Sequence, residues 1–164
     1  MILSELFTPV FLVRLIAILI GPAGFSIVFR VRPRLLPYAV IGGGMTYAVY
    51  YFTEILLGSV FAAGLLAAIA FSIYSELMAR IKRAPAVVFL LPSAISIVPG
   101  GSLYHTMINL LSQNYVAAWE YLLEALRIGI GIAGGMAAVS LLVNLINGLR
   151  HHVKAGKKKK KENS

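Results

Sequence analysis

The segment "LPSAISIVPGGSLYHTM", residues 91–107, lies in one of the most apolar parts of the chain but contains several residues that break helices. Pro92 and Pro99 lack a backbone N–H, and a proline ring clashes with the carbonyl group four residues earlier. Gly100 and Gly101 add backbone freedom directly after the second proline. We therefore predict a helix that is broken between Pro92 and Gly101.

The composition indicates that this segment is surrounded by a lipid bilayer. Hydrophobic residues make up 59% of the 164 residues and charged residues only 13%, whereas a soluble domain has about 45–50% and about 25%. A single water-soluble core could not hide this much apolar surface. Because a chain in lipid must satisfy its own backbone hydrogen bonds, we predict an all-α membrane protein.

Apolar segments of suitable length predict a bundle of five transmembrane helices within one domain, residues 1–150. The spans cover about residues 9–29, 35–56, 60–79, 86–111 and 126–146, and the fourth contains the predicted break. Tyr115 and Trp119 lie opposite polar residues at helical spacing, which predicts a short interfacial amphipathic helix before the fifth span. Residues 151–164 are predicted to be a disordered basic tail.

The basic residues predict the orientation of the spans. Thirteen of the 15 lie in three clusters, which follow the first span, the third span and the fifth span. An N-terminus outside the cell and a cytoplasmic C-terminus place all three clusters on the cytoplasmic side of the inner (plasma) membrane, as the positive-inside rule requires. A re-entrant fourth segment would move the lysine tail outside, so the charge distribution disfavours it.

The lysine tail is expected to contact the anionic surface of the lipid bilayer. Nucleic acid is the less favoured partner, because binding of single strands usually needs aromatic residues among the basic ones. Within the spans, Gly131 and Gly135 form a GxxxG motif, which lets two helices approach closely. The motif is compatible with packing inside one bundle and with a surface for a partner protein.

Broken spans of this kind form substrate sites in transporters. The half-helix that starts near Gly101 or Ser102 presents free N–H groups and the positive end of the helix dipole, which suit a carboxylate. The candidate substrate-binding residues are Pro92, Ser93, Ser96, Pro99, Gly100, Gly101, Ser102, Tyr104 and His105. We expect the segment to face inward, and the alternative is a proline kink that only shapes helix packing.

Two glutamates within the spans are candidates for ion coupling. Glu76 precedes Arg80 by four residues, so a surface ion pair is the simpler interpretation. Glu54 lies near the predicted outer end of the second span, whereas Glu76 lies near the predicted inner end of the third. Neither glutamate belongs to a pattern of metal ligands, and we expect no metal and no cofactor.

Two longer segments, "FRVRPRLLPYAVIGGGMTYAVYY" (residues 29–51) and "ELMARIKRAPAVVFLLPSAISIVPGGSLYHTM" (residues 76–107), carry a family resemblance. They resemble the threonine/serine exporter family, in particular its short five-span component, the YjjB type. The most specific element is Val98-Pro99-Gly100-Gly101 followed by Tyr104 and Met107. The resemblance implies export of threonine and serine, or of a dicarboxylate such as succinate. It also implies a separate partner subunit of the YjjP type; a homo-oligomer is the alternative assembly.

The leading hypothesis is therefore a membrane subunit of a secondary exporter for small carboxylate-bearing metabolites. A non-transporting scaffold or a channel subunit is the alternative, since the break could serve packing alone. An enzyme is disfavoured, because the sequence contains no paired carboxylates, no metal-spaced histidines and no nucleophile elbow.

Overall fold

The computed structural model describes the backbone of residues 9–162 and the side chains of residues 16–146. Over this part of the chain the structure contains helices and no strands. In chain order the helices are α1 (Pro9–Val28), α2 (Leu36–Leu57), α3 (Val60–Lys82), α4 (Val87–Ile95), α5 (Gly100–Leu111) and α6 (Tyr115–Glu162).

Short connections join the first three helices. α2 ends at Gly58, whose left-handed backbone (φ 60°) lets its N–H donate to the carbonyl of Glu54 at 2.8 Å. Ser59 then caps α3 by accepting a hydrogen bond from the N–H of Ala62. Because this turn takes only two residues, α2 and α3 run antiparallel and pack against each other.

The predicted helices are present, but the predicted count of five spans is not confirmed. Among the described residues, two helices are long and apolar enough to cross a bilayer, Val60–Lys82 and Tyr115–Ile146. The bent pair α4 and α5 makes a third if it is one span. The part of α1 whose side chains are described, Ile16–Val28, is a shorter apolar helix. α2 has 22 residues, which is long enough, but its hydropathy is below that of the two candidate spans.

The separate amphipathic helix predicted around Tyr115 is wrong. These residues form the first turns of α6, which continues without interruption through the predicted fifth span. The reason is the absence of glycine and proline between Tyr115 and Ile128, together with several alanines and leucines that favour helix. Trp119 is exposed on this segment, as expected for a residue at the level of the lipid headgroups.

The backbone of α6 is helical as far as Glu162, where the sequence predicted a disordered tail from residue 151. Lysine and alanine are good helix formers and favour continuation of the helix, whereas Gly156 and the repulsion among neighbouring lysines oppose it. The side chains of the tail lie outside the described residues, as do those of Arg14 and of the two consecutive histidines. The contact of the tail with anionic lipid stays a prediction.

The GxxxG motif of α6 packs within the chain. A Cβ atom at Gly131 would lie 2.6 Å from the carbonyl oxygen of Phe61, and one at Gly135 would lie 2.6 Å from that of Leu65. α3 offers Gly64 in return, next to the backbone of Ile128. The motif therefore joins α3 to α6, and this finding settles the choice between bundle packing and a partner surface in favour of packing.

Candidate functional site

The break in the fourth predicted span is narrower than expected. α4 ends at Ile95 and α5 begins at Gly100, and the two axes are bent by 46°. Pro99 ends the helical path because it disfavours helical backbone at Val98 and donates no hydrogen bond. Pro92 lies inside α4 instead of breaking it, so the prediction that the break starts at Pro92 is wrong.

Packing explains why α4 tolerates Pro92. The proline is completely buried, and the neighbouring Ser93 donates a hydrogen bond to the carbonyl of Phe89 at 2.8 Å. Serine hydroxyls and neighbouring helices support the backbone of proline-containing helices in this way. Pro92 therefore shapes one side of α4 without interrupting it.

The serines of α4 and of the break lie against the glycine triplet of α2. A Cβ atom at Gly42 would collide with the hydroxyl of Ser93, and one at Gly43 would lie 2.8 Å from the hydroxyl of Ser96. Pro22 of α1 fills the other side of Gly43. The glycines thus allow α4 to approach α2 closely enough to bury the hydroxyls of both serines.

Three buried hydroxyls have no hydrogen-bond partner among the described side chains and backbone, those of Ser72, Ser75 and Ser96. Most buried polar atoms in proteins are hydrogen-bonded, so an unpaired one is a candidate contact for a ligand or for water. Ser96 is the one of these three that lies at the break. Its hydroxyl is therefore a polar group available within the bundle.

The opposite side of the break is open. Val98 is 49% exposed, Gly100 and Gly101 are exposed, and a Cβ atom at either glycine would meet nothing within 4 Å. Tyr104, one turn further on, is 62% exposed. Within this chain, therefore, only the serine side of the segment is buried, and the expectation that its open side faces protein or a water-filled path stays a prediction.

The first turn of α5 lies beside a carboxylate. The hydroxyl of Ser102 donates to Oε1 of Glu124 on α6 at 3.2 Å. The N–H of Gly100 donates to the carbonyl of Val98 at 2.7 Å, whereas Gly101 and Ser102 occupy first-turn positions for which a helix has no acceptor of its own. The site thus combines two amide donors with one acidic acceptor.

A second carboxylate extends this acidic region. Glu54 on α2 and Glu124 on α6 interact electrostatically, and both also act on the phenol of Tyr50. Glu54 and Glu124 are half-buried. We call Glu54, Ser102 and Glu124 the acidic cluster; Ser102 and Glu124 are hydrogen-bonded across α5 and α6, and Glu54 on α2 lies within range of the charge of Glu124.

The comparisons with known proteins agree with the resemblance noted in the sequence. The family described as Threonine/Serine exporter, ThrE matches residues 14–142, which is most of the chain and includes the break and the acidic cluster. The chain belongs to the threonine/serine exporter family. No curated protein and no solved structure matches it. Family membership and apolar helices together indicate a membrane protein with a role in transport.

The remaining candidate residues, His105 and Glu76, lie apart from the acidic cluster or at its edge. His105 stacks on Tyr121 of α6, with ring centroids 5.0 Å apart. Glu76 lies 3.9 Å from Arg80 on the same helix, and both side chains are partly exposed. That geometry corresponds to a surface ion pair, the simpler of the two interpretations.

Sequence reasoning did not select Glu124 and Tyr50 as site residues. Glu124 lies with Glu120 in the segment for which the sequence predicts an interfacial amphipathic helix, where two exposed acids are ordinary. A signal did exist in the sequence, because Glu124 is an acidic residue three positions before Arg127 at the start of an apolar span. Only the tertiary structure brings it to Ser102, 22 residues earlier in the chain.

Proposed function

We propose that the chain is a membrane subunit of a secondary exporter that moves small carboxylate-bearing metabolites out of the cytoplasm. It lies in the inner (plasma) membrane with its N-terminus outside and its C-terminus in the cytoplasm. The observation that supports this proposal best is the start of α5 beside Glu124, in the middle of an interrupted span. Transporters use such half-helix ends to bind charged substrate groups.

The two kinds of group in the site suit the two ends of an amino acid. The N–H groups of Gly101 and Ser102, with the positive end of the α5 dipole, would bind the substrate carboxylate. Glu124 would bind the substrate ammonium group, with Glu54 adding negative charge. The substrate hydroxyl of serine or threonine would remain free to contact a nearby hydroxyl of the protein.

This arrangement favours threonine or serine over succinate. A dicarboxylate would bring a second negative charge towards Glu54 and Glu124, and like charges repel strongly where the surroundings exclude water. A zwitterionic amino acid presents an opposite charge at the same place. Of the two coupling candidates, Glu54 is supported by its interaction with Glu124, whereas Glu76 is accounted for by its ion pair with Arg80.

The open side of the break supports an assembly of more than one subunit. Irregular backbone such as that of residues 96–99 is not tolerated against lipid, so in a bilayer it must face protein or a water-filled path. A second subunit, either a partner of another type or a copy of this chain, would cover this segment and complete the path. Five predicted spans alone would enclose little space for a solute.

A non-transporting scaffold or a channel subunit is the second candidate. The burial of Ser93 and of Pro92 against α2 supports it, because these contacts would give the proline a purely structural task. The two candidates differ in what they require of Glu124. A scaffold tolerates a neutral side chain there, and an amino-acid exporter does not.

Glu124→Gln tests the proposal most directly, since glutamine keeps the shape and can still accept the Ser102 hydrogen bond. Cells loaded with labelled threonine, serine or succinate would express the variant together with a partner subunit. We expect threonine and serine efflux to fall about ten- to a hundredfold, because hydrogen bonds to charged groups contribute about 1.5–3 kcal/mol.

The matched control is Glu120→Gln, one turn earlier on α6, which removes the same charge from an exposed position. It should leave efflux within about twofold, as surface charges contribute little. Normal efflux by Glu124→Gln at normal membrane levels would reject the proposed site. Succinate efflux that exceeds threonine and serine efflux in the unaltered chain would reject the proposed substrate class.

A further inference from the structure

A cavity of about 590 Å³ lies at the opposite end of the bundle from the acidic cluster. It is formed where α1 ends, where α3 ends and where α4 begins, and Pro92 is one of its lining residues. Its volume is in the range of small-molecule sites, roughly 300–1,000 Å³. The proposed transport site does not use this cavity.

The lining of the cavity is strongly cationic. It contains five basic side chains and no acidic one: Arg30, Arg32, Arg34, Lys82 and Arg83. Among side chains 16–146, the ion pair present is that of Glu76 and Arg80, outside the cavity, so none of the five has an acidic partner. Positive charges gathered at one site repel one another, and a bound anion would relieve that repulsion.

The backbone adds to the positive potential. Arg30 and Arg83 both have left-handed backbone, with φ of 53° and 51°, so the chain turns sharply at the ends of α1 and α3. α4 starts at the cavity without a side-chain cap, because its cap position is Ala86. The N–H groups of Val88 and Phe89 donate to the carbonyls of Pro85 and Ala86, so α4 contributes the positive end of its dipole to the cavity.

The cavity also has an apolar wall that opens to the outside of the bundle. Phe29, Val87 and Leu91 line it, and their side chains are 50%, 57% and 40% exposed. In a bilayer these side chains would contact acyl chains. A small free anion needs cationic groups only, whereas a phospholipid needs cationic groups next to an apolar wall.

We propose that this cavity binds the phosphate-bearing headgroup of an anionic phospholipid. The arginines hold the phosphate, and an acyl chain lies along Val87 and Leu91. Basic pockets between transmembrane helices on the cytoplasmic side bind such headgroups, and the predicted orientation places this cavity on that side. Because Pro92 lines the cavity, the bound lipid contacts α4 one turn before the break.

The test uses the purified full chain in a neutral detergent, with bound lipid measured by native mass spectrometry and thermal unfolding as a second readout. The probes are phosphatidylglycerol, phosphatidylcholine and inorganic phosphate. We expect phosphatidylglycerol to be retained and to raise the unfolding temperature, and the other two to do neither. Equal retention of phosphatidylcholine, or equal stabilisation by phosphate alone, would overturn the proposal.

The variant Arg32→Gln/Arg34→Gln removes two exposed lining charges that cap no helix. We expect its affinity for phosphatidylglycerol to fall about 25-fold, which is about fivefold for each charge removed. The matched control Arg80→Gln/Arg127→Gln removes two charges outside the cavity and should change the affinity less than about twofold. Equal losses in both variants would show diffuse attraction and overturn the site.

The lipid proposal stands apart from the transport proposal. Glu124→Gln should bind phosphatidylglycerol like the unaltered chain, because Glu124 does not line the cavity. Loss of lipid binding in that variant would contradict the separation of the two sites.

Discussion

The two halves of the broken span are held in different ways. α4 packs against α1, α2 and α3 and buries Phe89, Pro92 and Ser93, whereas α5 packs against α6 and buries only Thr106. The tight contacts of α4 arise from glycines on α2, which have no counterpart facing α5. The difference indicates that α4 is the fixed half and α5 the half available to a substrate or a second subunit.

The largest expected effect that tests this difference is on folding. In Gly43→Leu, the new side chain would collide with the rigid ring of Pro22 and with Ser96, so we expect a loss of about 1–3 kcal/mol or more of unfolding free energy. Gly101→Leu places the same side chain in open space on α5 and should leave stability unchanged or slightly raised.

Thermal unfolding of both purified variants in detergent measures the comparison. A stable Gly43→Leu would mean that α4 is not fixed against α2 in the way its contacts indicate. A Gly101→Leu variant as unstable as Gly43→Leu would mean that the open side of α5 is packed within the chain after all.

The second expected effect is on the access of water to the two halves of the span. Cysteine labelling can measure it, because the unaltered chain contains no cysteine. Single variants Gly101→Cys and Ser93→Cys would react with a water-soluble maleimide in intact membranes. We expect residue 101 to be labelled about tenfold faster or more, because thiolates form only where water reaches them. Equally slow labelling at both positions would show that the start of α5 does not line a water path.

The family and the local break could be predicted from the sequence, since both depend on residues close together in the chain. Pro99 with the two glycines after it interrupts a helix wherever it is placed, and the structure confirms the interruption. Pro92 has the same intrinsic effect, but it lies inside a helix because packing against α1 and α2 outweighs that effect.

The parts that could not be predicted depend on contacts between distant residues. The spacing of Gly131 and Gly135 shows that two backbones can meet, but it cannot show that the second backbone is α3 of the same chain. The pairing of Ser102 with Glu124 likewise depends on how α5 lies along α6. Helical periodicity determines which residues share a face, and it does not determine what that face meets.

The smallest expected effect concerns Ser96, which belongs to the fixed side of the break but has no hydrogen-bond partner among the described residues. Ser96→Ala removes a buried hydroxyl that makes no hydrogen bond to the described residues. The unfolding free energy should therefore stay constant or rise by up to about 1 kcal/mol. Ser93→Ala, the control, loses the hydrogen bond to Phe89 and should cost about 0.5–1.5 kcal/mol.

Efflux measurements show whether the unpaired hydroxyl of Ser96 takes part in transport. If Ser96 contacts the substrate hydroxyl, Ser96→Ala should lower threonine and serine efflux severalfold without lowering stability, while Ser93→Ala should lower stability more than efflux. A Ser96→Ala variant with unchanged efflux would leave the hydroxyl without a part in transport. The fixed half of the span would then act only as the support from which α5 presents its amide groups.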